Sequence, residues 1–233
     1  MKVSTPLIST IIPVYNGESY LREAIDSTLN QTYSNHEVVV INDGSTDNTA
    51  QIAQSYSSAV KYHFQPNSGL SGARNTGVQR SRGDYLAFLD ADDLFMPEKL
   101  ELQFECFNAD PVLDMVFGHV EQFYSPDLSD GERAQFAVSE MVMPGLFAGA
   151  MLVNRLAFLQ AGYYDPNLRV GQFLDWYMKA KERGLKQFIL TEVVVKRRIH
   201  LTNMSSQASR NDKIDFARLI KAGLDRRRGN KSE

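Results

Sequence analysis

The chain has 233 residues, 43% of them hydrophobic, a net charge of −3 and one cysteine, Cys106. That length and apolar content suit one large domain with a substantial core. The charge gives no broad electrostatic case for nucleic acid, a single cysteine excludes an internal disulfide, and no apolar run approaches the 18 residues of a membrane-crossing helix. Lys2 is the only charge before Pro13 and no long apolar run precedes it, so a signal peptide is not expected and the protein reads as soluble and cytoplasmic.

Residues 7–14 are β-branched and almost uniformly apolar, as a strand covered on both faces should be. A helix is expected over 18–30, with Leu21, Ala24, Ile25 and Leu29 on one face. Residues 37–41 form a second buried strand ending in Asn42-Asp43-Gly44-Ser45-Thr46-Asp47, where Asp47 can cap a helix carrying Ile52, Ala53 and Tyr56. A third strand covers 60–64, a loop 66–69 and a helix 70–80. Gly83-Asp84 then turns the chain into a fourth strand over 84–88. Strand and helix alternate four times, which predicts an α/β fold with a doubly wound, mostly parallel sheet flanked by helices.

Past Asp93 the pattern loosens. Pro97 starts a helix with Leu100, Phe104 and Phe107 at core spacing, and residues 114–123 are strand-like. Residues 125–132 read as an exposed excursion, 143–153 as a small apolar stretch and 155–160 as a short helix. A helix over 175–183, with Asp175 as a candidate cap, is closed by Gly184. Strands are expected at 188–190 and 193–195, a polar loop over 196–206 and a terminal helix over 212–227. The basic stretch 221–231 reads as a solvated helix end, with peripheral contact to anionic lipid left open. The whole is one domain: a nucleotide-binding half over 1–95, an acceptor or catalytic half over 96–210, and a helix with a basic tail over 211–233.

Phe88-Leu89-Asp90-Ala91-Asp92-Asp93 concentrates the chemistry. Three carboxylates at the C-terminal end of a strand lie where ligands bind in open α/β sheets, and like charges so close call for a cation. Oxygen ligands suit Mg²⁺ or Mn²⁺, and Mg²⁺ takes one or two protein carboxylates beside substrate phosphate. Tyr15-Asn16, Asp43, and Asn67 with Gly69 reach the same rim from neighbouring strand ends. Asp43 suits a base or ribose edge, and Arg74 can grip a diphosphate. Neither a Walker A loop nor a G-x-G-x-x-G occurs, so a metal must neutralise the phosphates.

Four segments now carry a resemblance: Ser9-Thr10-Ile11-Ile12-Pro13-Val14-Tyr15-Asn16, Val40-Ile41-Asn42-Asp43-Gly44-Ser45-Thr46-Asp47, Asn67-Ser68-Gly69-Leu70-Ser71-Gly72-Ala73-Arg74-Asn75, and the aspartate segment. In order and spacing they resemble the inverting glycosyltransferases of family 2, with the GT-A fold. The likeness is close over residues 7–100 and looser to about 205. It implies that Pro13, Val14, Tyr15, Asn16 and Glu18 line a nucleotide pocket and that Asp43 bonds the base, usually uracil. It further implies that Asn67, Gly69, Arg74, Asp90 and Ala91 complete the nucleotide side, with Asp90 against the ribose. Asp92 would ligate the metal, and His200, in Arg197-Arg198-Ile199-His200, resembles a late histidine that closes over metal or diphosphate. The implied reaction moves a sugar from a nucleotide-diphosphate donor, such as a UDP-sugar, to a hydroxyl of a glycan, lipid-linked or small-molecule acceptor, with inversion.

One departure stands out. An ungapped match puts Gln172 and Phe173 where the family has its Glu-Asp base segment, and the carboxylate nearby is Asp175. Asp175 is therefore the candidate base, with Asp165 the next carboxylate to consider. The alternative reading is a non-catalytic nucleotide-sugar-binding homologue that has lost its base. A sugar nucleotidyltransferase would need a Gly-rich, cationic loop after the first strand, which Pro13-Val14-Tyr15-Asn16-Gly17 is not.

Overall fold

Four apolar runs build the first half of the sheet: β1 (Ile8–Val14), β2 (His36–Asp43), β3 (Val60–Gln65) and β4 (Tyr85–Phe88). The computed structural model describes residues 5–136, 142–203, 216 and 221. The expected terminal helix and basic stretch lie outside the described residues, apart from Phe216 and Lys221. The four strands are mutually parallel in the order β3-β2-β1-β4. Every residue of β1 is buried, which explains why its sequence shows no polar alternation. Ile12 and Val14 pack into the core on one face, while Ile11 points to the other core with Leu86 and Phe88.

Three helices make the crossovers: α1 (Leu21–Leu29), α2 (Thr49–Gln54) and α3 (Gly69–Arg80). From β1 the chain winds outward to β3, then returns to lay β4 on the opposite side of β1. That reversal is a topological switch point, and it opens a crevice beyond the strand C-termini. α3 lies against β1 closely enough that a Cβ on Gly77 would clash with the Ile11 side chain.

The second half extends the same sheet by different means. Its elements are β5 (Leu94–Phe95), α4 (Lys99–Ala109), β6 (Met115–Tyr124), α5 (Asp130–Arg133), β7 (Val142–Pro144), β8 (Met151–Asn154), α6 (Arg155–Ala161), α7 (Gln172–Glu182) and β9 (Gln187–Ile199). β8 runs antiparallel to both β4 and β6, joining the halves, while β9 pairs parallel with β6 and antiparallel with β5. β7 pairs with β6 at the side of this path. The α/β class and the winding of the first half are as expected; the antiparallel joints are the addition of the second.

Several local expectations are corrected. Residues 196–199 belong to β9 rather than to a loop, and the two short strands expected at 188–190 and 193–195 are parts of that one strand. Register shifts against β6 between Phe117 and Val120 mark where it is irregular. The excursion after Tyr124 contains α5, whose Ser129 and Glu132 form a reciprocal capping box. Asn48 stands at the N-cap position of α2 without a side-chain cap bond, while Asp47, one position earlier, accepts from the Thr49 N–H through Oδ1 at 3.0 Å and so does serve the helix start. α7 begins at Gln172 behind Gly171, whose φ of 76° is the left-handed conformation that glycine adopts at no steric cost. Asp175 is therefore in the body of the helix and is not its cap.

Candidate active site

The crevice at the switch point holds a cavity of about 710 Å³. Its walls include Pro13 and Val14 at the end of β1 with Tyr15 and Asn16 after it, Asp43 at the end of β2, Asn67 before α3 and Gly69 at its start, and Asp90, Ala91, Asp92 and Asp93 after β4. Arg169, Arg197, His200, Thr202 and Asn203 close it from the second half. Most residues expected from the sequence are thus brought together at one rim. Glu18, Arg74 and Asp175 are not among those lining it.

The loops of the rim lock one another. Asn16 has a left-handed φ of 51°, which Asn tolerates better than most residues. Its backbone N–H donates to Ser45 Oγ, and its side-chain oxygen accepts from the Thr46 N–H at 2.8 Å. Glu18 works in the same seam: its Oε2 accepts from both the backbone N–H and the side-chain amide of Asn48. Asp47 answers by accepting from the Glu18 N–H through Oδ2 and from Thr49 through Oδ1. Burial would raise the Asp47 pKa, but these donated bonds outweigh it and hold the carboxyl below its ordinary value. Glu18 therefore ties the loop after β1 to the loop after β2 and does not line the cavity.

Asp43 is buried, and its carboxylate is already in use. Oδ1 accepts from Gln65 Nε2 at 2.7 Å, from the Ser68 N–H at 2.9 Å and from Ser68 Oγ at 3.1 Å. The carboxylate was expected to be free for a ligand. Instead one oxygen fixes the turn into α3, because Ser68 immediately precedes that helix. The cavity wall is Asp43 in this tethered form.

Arg74 is the clearest relocation. It is 4% exposed and sits behind the wall, with Nη2 donating to Asp90 Oδ1 at 2.6 Å and its guanidinium 5.6 Å from the centre of the Tyr164 ring. Burial alone would lower its pKa, but Asp90 and Tyr164 overcome this and raise it, so the side chain is a permanent cation. Ser71, Ala73, Gly77 and Val78 are buried with it, so this face of α3 packs inward. Arg74 orients Asp90; the arginines on the cavity itself are Arg169 and Arg197, beside the His200 ring.

The carboxylates after β4 are balanced from within the chain. Arg74 pairs with Asp90. Asp92 Oδ2 lies 2.9 Å from His200 Nε2 and accepts from Asn203 Nδ2 at 3.3 Å. Asp93 is buried, and burial together with Asp92 and Asp90 pushes its carboxyl well above the ordinary value, opposed by the Arg198 N–H at 2.9 Å. Among the described residues no group of three or more His, Cys, Asp or Glu side chains converges on one metal position. Asp92 with His200 nevertheless fits a two-ligand site. Adjacent octahedral ligands at roughly 2.1 Å from an ion stand about 3 Å apart, as these two donors do. His200 Nδ1 meets the Thr202 hydroxyl at 2.9 Å, and a hydroxyl can donate to or accept from either tautomer.

Asp175 is buried on α7 among Phe173, Trp176 and Tyr177 and pairs with Lys179 at 2.6 Å. Asp165 spends its Oδ1 on the backbone and side-chain amides of Asn167. Sequence reading missed Tyr20, Arg169, Thr202 and Asn203 on the cavity.

Residues 9–158 match the family model described as glycosyl transferase family 2. The chain belongs to that family. A Rickettsia typhi protein named an uncharacterized glycosyltransferase is 34% identical over 213 residues, covering 86% of this chain and 67% of that protein. A Rickettsia bellii glycosyltransferase, also uncharacterized, is 50% identical over 111 residues, which is 46% of this chain and 16% of that one. In fold, this family member is similar to residues 1–349 of S. aureus TarS solved with UDP-GlcNAc, at a TM-score of 0.72 and 20% identity over 93% of this chain and 65% of that chain. It thus spans about two thirds of two of these proteins and a sixth of the third. The matched segment, residues 9–158, takes in all but the first residue of β1, all of β2 to β4 and the aspartate turn, while Arg169, Arg197, His200, Thr202 and Asn203 lie beyond it.

Proposed function

We propose that the protein is a metal-dependent inverting glycosyltransferase that takes a UDP-sugar as donor and a hydroxyl of a glycan, lipid-linked or small-molecule acceptor. The observation that carries this reading is the rim itself: Asp43, Asp90 and the Asp92–His200 pair face one cavity at the switch point of a family 2 fold. The fold's likeness to a protein solved with UDP-GlcNAc supports a UDP-sugar as donor. Asp43 and the residues after β1 would hold the base and ribose, with Asp90 steered by Arg74. Arg169 and Arg197, lining the same cavity, would meet the diphosphate as cations. Asp92 and His200 would hold Mg²⁺ or Mn²⁺, which would supply positive charge beside the departing diphosphate.

Asp175 remains the proposed base, taking the acceptor proton as the hydroxyl attacks the face opposite the diphosphate. Its pairing with Lys179 and its absence from the cavity wall favour the second reading, a nucleotide-sugar-binding homologue without transfer activity. The deciding experiment measures UDP binding with Mn²⁺ and with EDTA, and in parallel transfer by wild type and Asp175→Asn. Tighter UDP binding with Mn²⁺, and transfer that the substitution lowers at least 100-fold at unchanged nucleotide affinity, is expected. Equal affinity in EDTA and Mn²⁺ overturns metal dependence. Transfer at the wild-type rate by Asp175→Asn removes it as base, and binding without any turnover selects the second reading.

A further inference from the structure

We infer that Arg198 is a positioning residue that sets the Asp92–His200 pair, acting through Asp92 and Tyr20 rather than by touching a substrate. The inference rests on the reading of that pair as a metal and diphosphate site. Arg198 is 2% exposed, the burial of a core residue, although it carries a full charge at the end of β9. Its guanidinium lies between two rings, 4.7 Å from the centre of Tyr20 and 4.7 Å from that of Phe123. In the plane left between the rings it makes two bonds in different directions. Nε donates to the backbone carbonyl of Asp92 at 3.0 Å, and Nη2 donates to Glu23 Oε2 on α1 at 2.8 Å.

Those four contacts join three parts of the chain. Glu23 and Tyr20 belong to α1 and the turn before it, Asp92 to the turn after β4, and Phe123 to β6. The other face of the same device is His200, two residues along the extended chain. Its ring lies 4.9 Å from that of Tyr20 and its Nε2 reaches the Asp92 carboxylate. Tyr20 is therefore shared by Arg198 and His200, and Asp92 is held by Arg198 at its carbonyl and by His200 at its carboxylate. Fixing both ends of one aspartate and the ring against which its partner rests leaves the pair little freedom to turn. A planar fork with two aromatic faces can do this; a lysine ammonium has no plane to lie between two rings, and its three donors radiate from a single nitrogen rather than from spaced ones. The backbone bonds of the residue, from its N–H to Asp93 and from Asn203 to its carbonyl, do not depend on the side chain, so a substitution isolates the guanidinium.

The test compares Arg198→Lys and Glu23→Gln with wild type, each first checked for a cooperative thermal transition. UDP affinity is measured by calorimetry with Mn²⁺ and with EDTA, and the His200 imidazole signal is followed by NMR in metal-free protein, assigned with His200→Gln. Arg198→Lys is expected to weaken UDP at least tenfold with Mn²⁺ and less than twofold in EDTA, and to shift the His200 signal. Glu23→Gln, which frees the outer end of the guanidinium, is expected to show the same pattern at two- to fivefold. An equal loss in both conditions, or wild-type affinity with Mn²⁺, overturns the inference. Should wild type show no gain from Mn²⁺, the donor-site reading fails by itself. The positioning role then stands if the metal-free His200 signal moves in the variants and falls if it does not. If Arg198→Lys does not fold, Glu23→Gln supplies the same readouts.

Discussion

The two halves of the sheet solve the same problem differently. Before Asp93, the site is made by regularity: parallel strands end together, and the switch point between β1 and β4 leaves room beyond them. After it, the chain reaches the site by the long strand β9, parallel to β6, whose end carries Arg197 and Arg198 and leads directly into His200. The first half forms the floor and walls of the cavity; the second supplies its cations. The difference shows in how each half handles buried charge. Behind the rim, the buried Arg74 is paired with Asp90 at 2.6 Å. Under the second half, Lys99 on α4 is fully buried, donates to Gln103 Oε1 at 2.6 Å and lies over the Phe95 ring at 4.7 Å.

The largest effect is expected where the halves meet. Asp92→Ala removes the carboxylate shared by His200 and Asn203. It should abolish the gain in UDP affinity from Mn²⁺ and lower transfer at least about 100-fold, the scale of losing one group that stabilises developing charge. Calorimetry with Mn²⁺ and EDTA, beside a transfer assay, checks it. A retained Mn²⁺ effect would place the ion elsewhere on the rim.

Next comes the contrast between two buried basic side chains, Lys99 and Arg74. Burial pushes the Lys99 pKa well below its ordinary value, whereas Arg74 stays charged beside Asp90. For a lysine with a depressed folded pKa, the unfolded chain binds the extra proton between the two pKa values. Stability therefore rises with pH up to the unfolded value near 10.4, and this contribution falls away as pH drops towards the folded one. Relative to Lys99→Met, wild type should gain stability as pH rises towards the unfolded value, by no more than about 1.4 kcal/mol per pH unit, read by denaturant unfolding. A flat difference would mean that the amine is charged in the folded state.

A smaller effect is expected at Asp43, because its Oδ1 already serves Gln65 and Ser68. Asp43→Ala should weaken UDP by about 1–3 kcal/mol and also lower the melting temperature, since the Ser68 N–H loses its acceptor. Loss of affinity at an unchanged melting temperature would mean that this tether contributes nothing to the fold.

What the sequence disclosed follows the same division. The strands of the first half were legible because burial on both faces writes itself as an unbroken apolar run, as in Ile8–Val14. The polar strand ends were legible because Asp43, Asn67 and the aspartates interrupt such runs abruptly. Arg74 was misplaced because an arginine's charge suggests solvent or ligand, while its helical neighbours Ala73, Gly77 and Val78 show a packed face. The end of β9 was read as a loop because Lys196, Arg197 and Arg198 look solvated. Their strand state comes from β5 and β6 on either side and from Tyr20 and Phe123 enclosing Arg198, contacts distant in sequence. Asp175 looked like a cap because the left-handed Gly171 that starts α7 three residues earlier than expected has no side-chain signature.

The smallest expected effect separates lining from locking. Glu18 was expected on the nucleotide pocket by resemblance, yet its carboxylate points into the seam between the first two strand-end loops. There Oε2 holds the Asn48 N–H at 3.0 Å and the Asn48 amide at 2.8 Å. Both bonds are exposed, so water can replace the acceptor when it is removed, and the cost should be that of ordinary hydrogen bonds rather than of an orphaned buried donor. Asp47 still accepts from the residue-18 backbone N–H after substitution, and the bonds from Asn16 to Ser45, Thr46 to Asn16 and Gly17 to Thr49 remain, so the loops stay tied. Glu18→Ala should therefore lower stability by only about 0.5–1.5 kcal/mol and change UDP affinity less than threefold. Thermal unfolding and calorimetry on the same preparation read both quantities. A tenfold loss of UDP affinity at an unchanged melting temperature would put the Glu18 carboxylate on the ligand and undo its assignment to the seam.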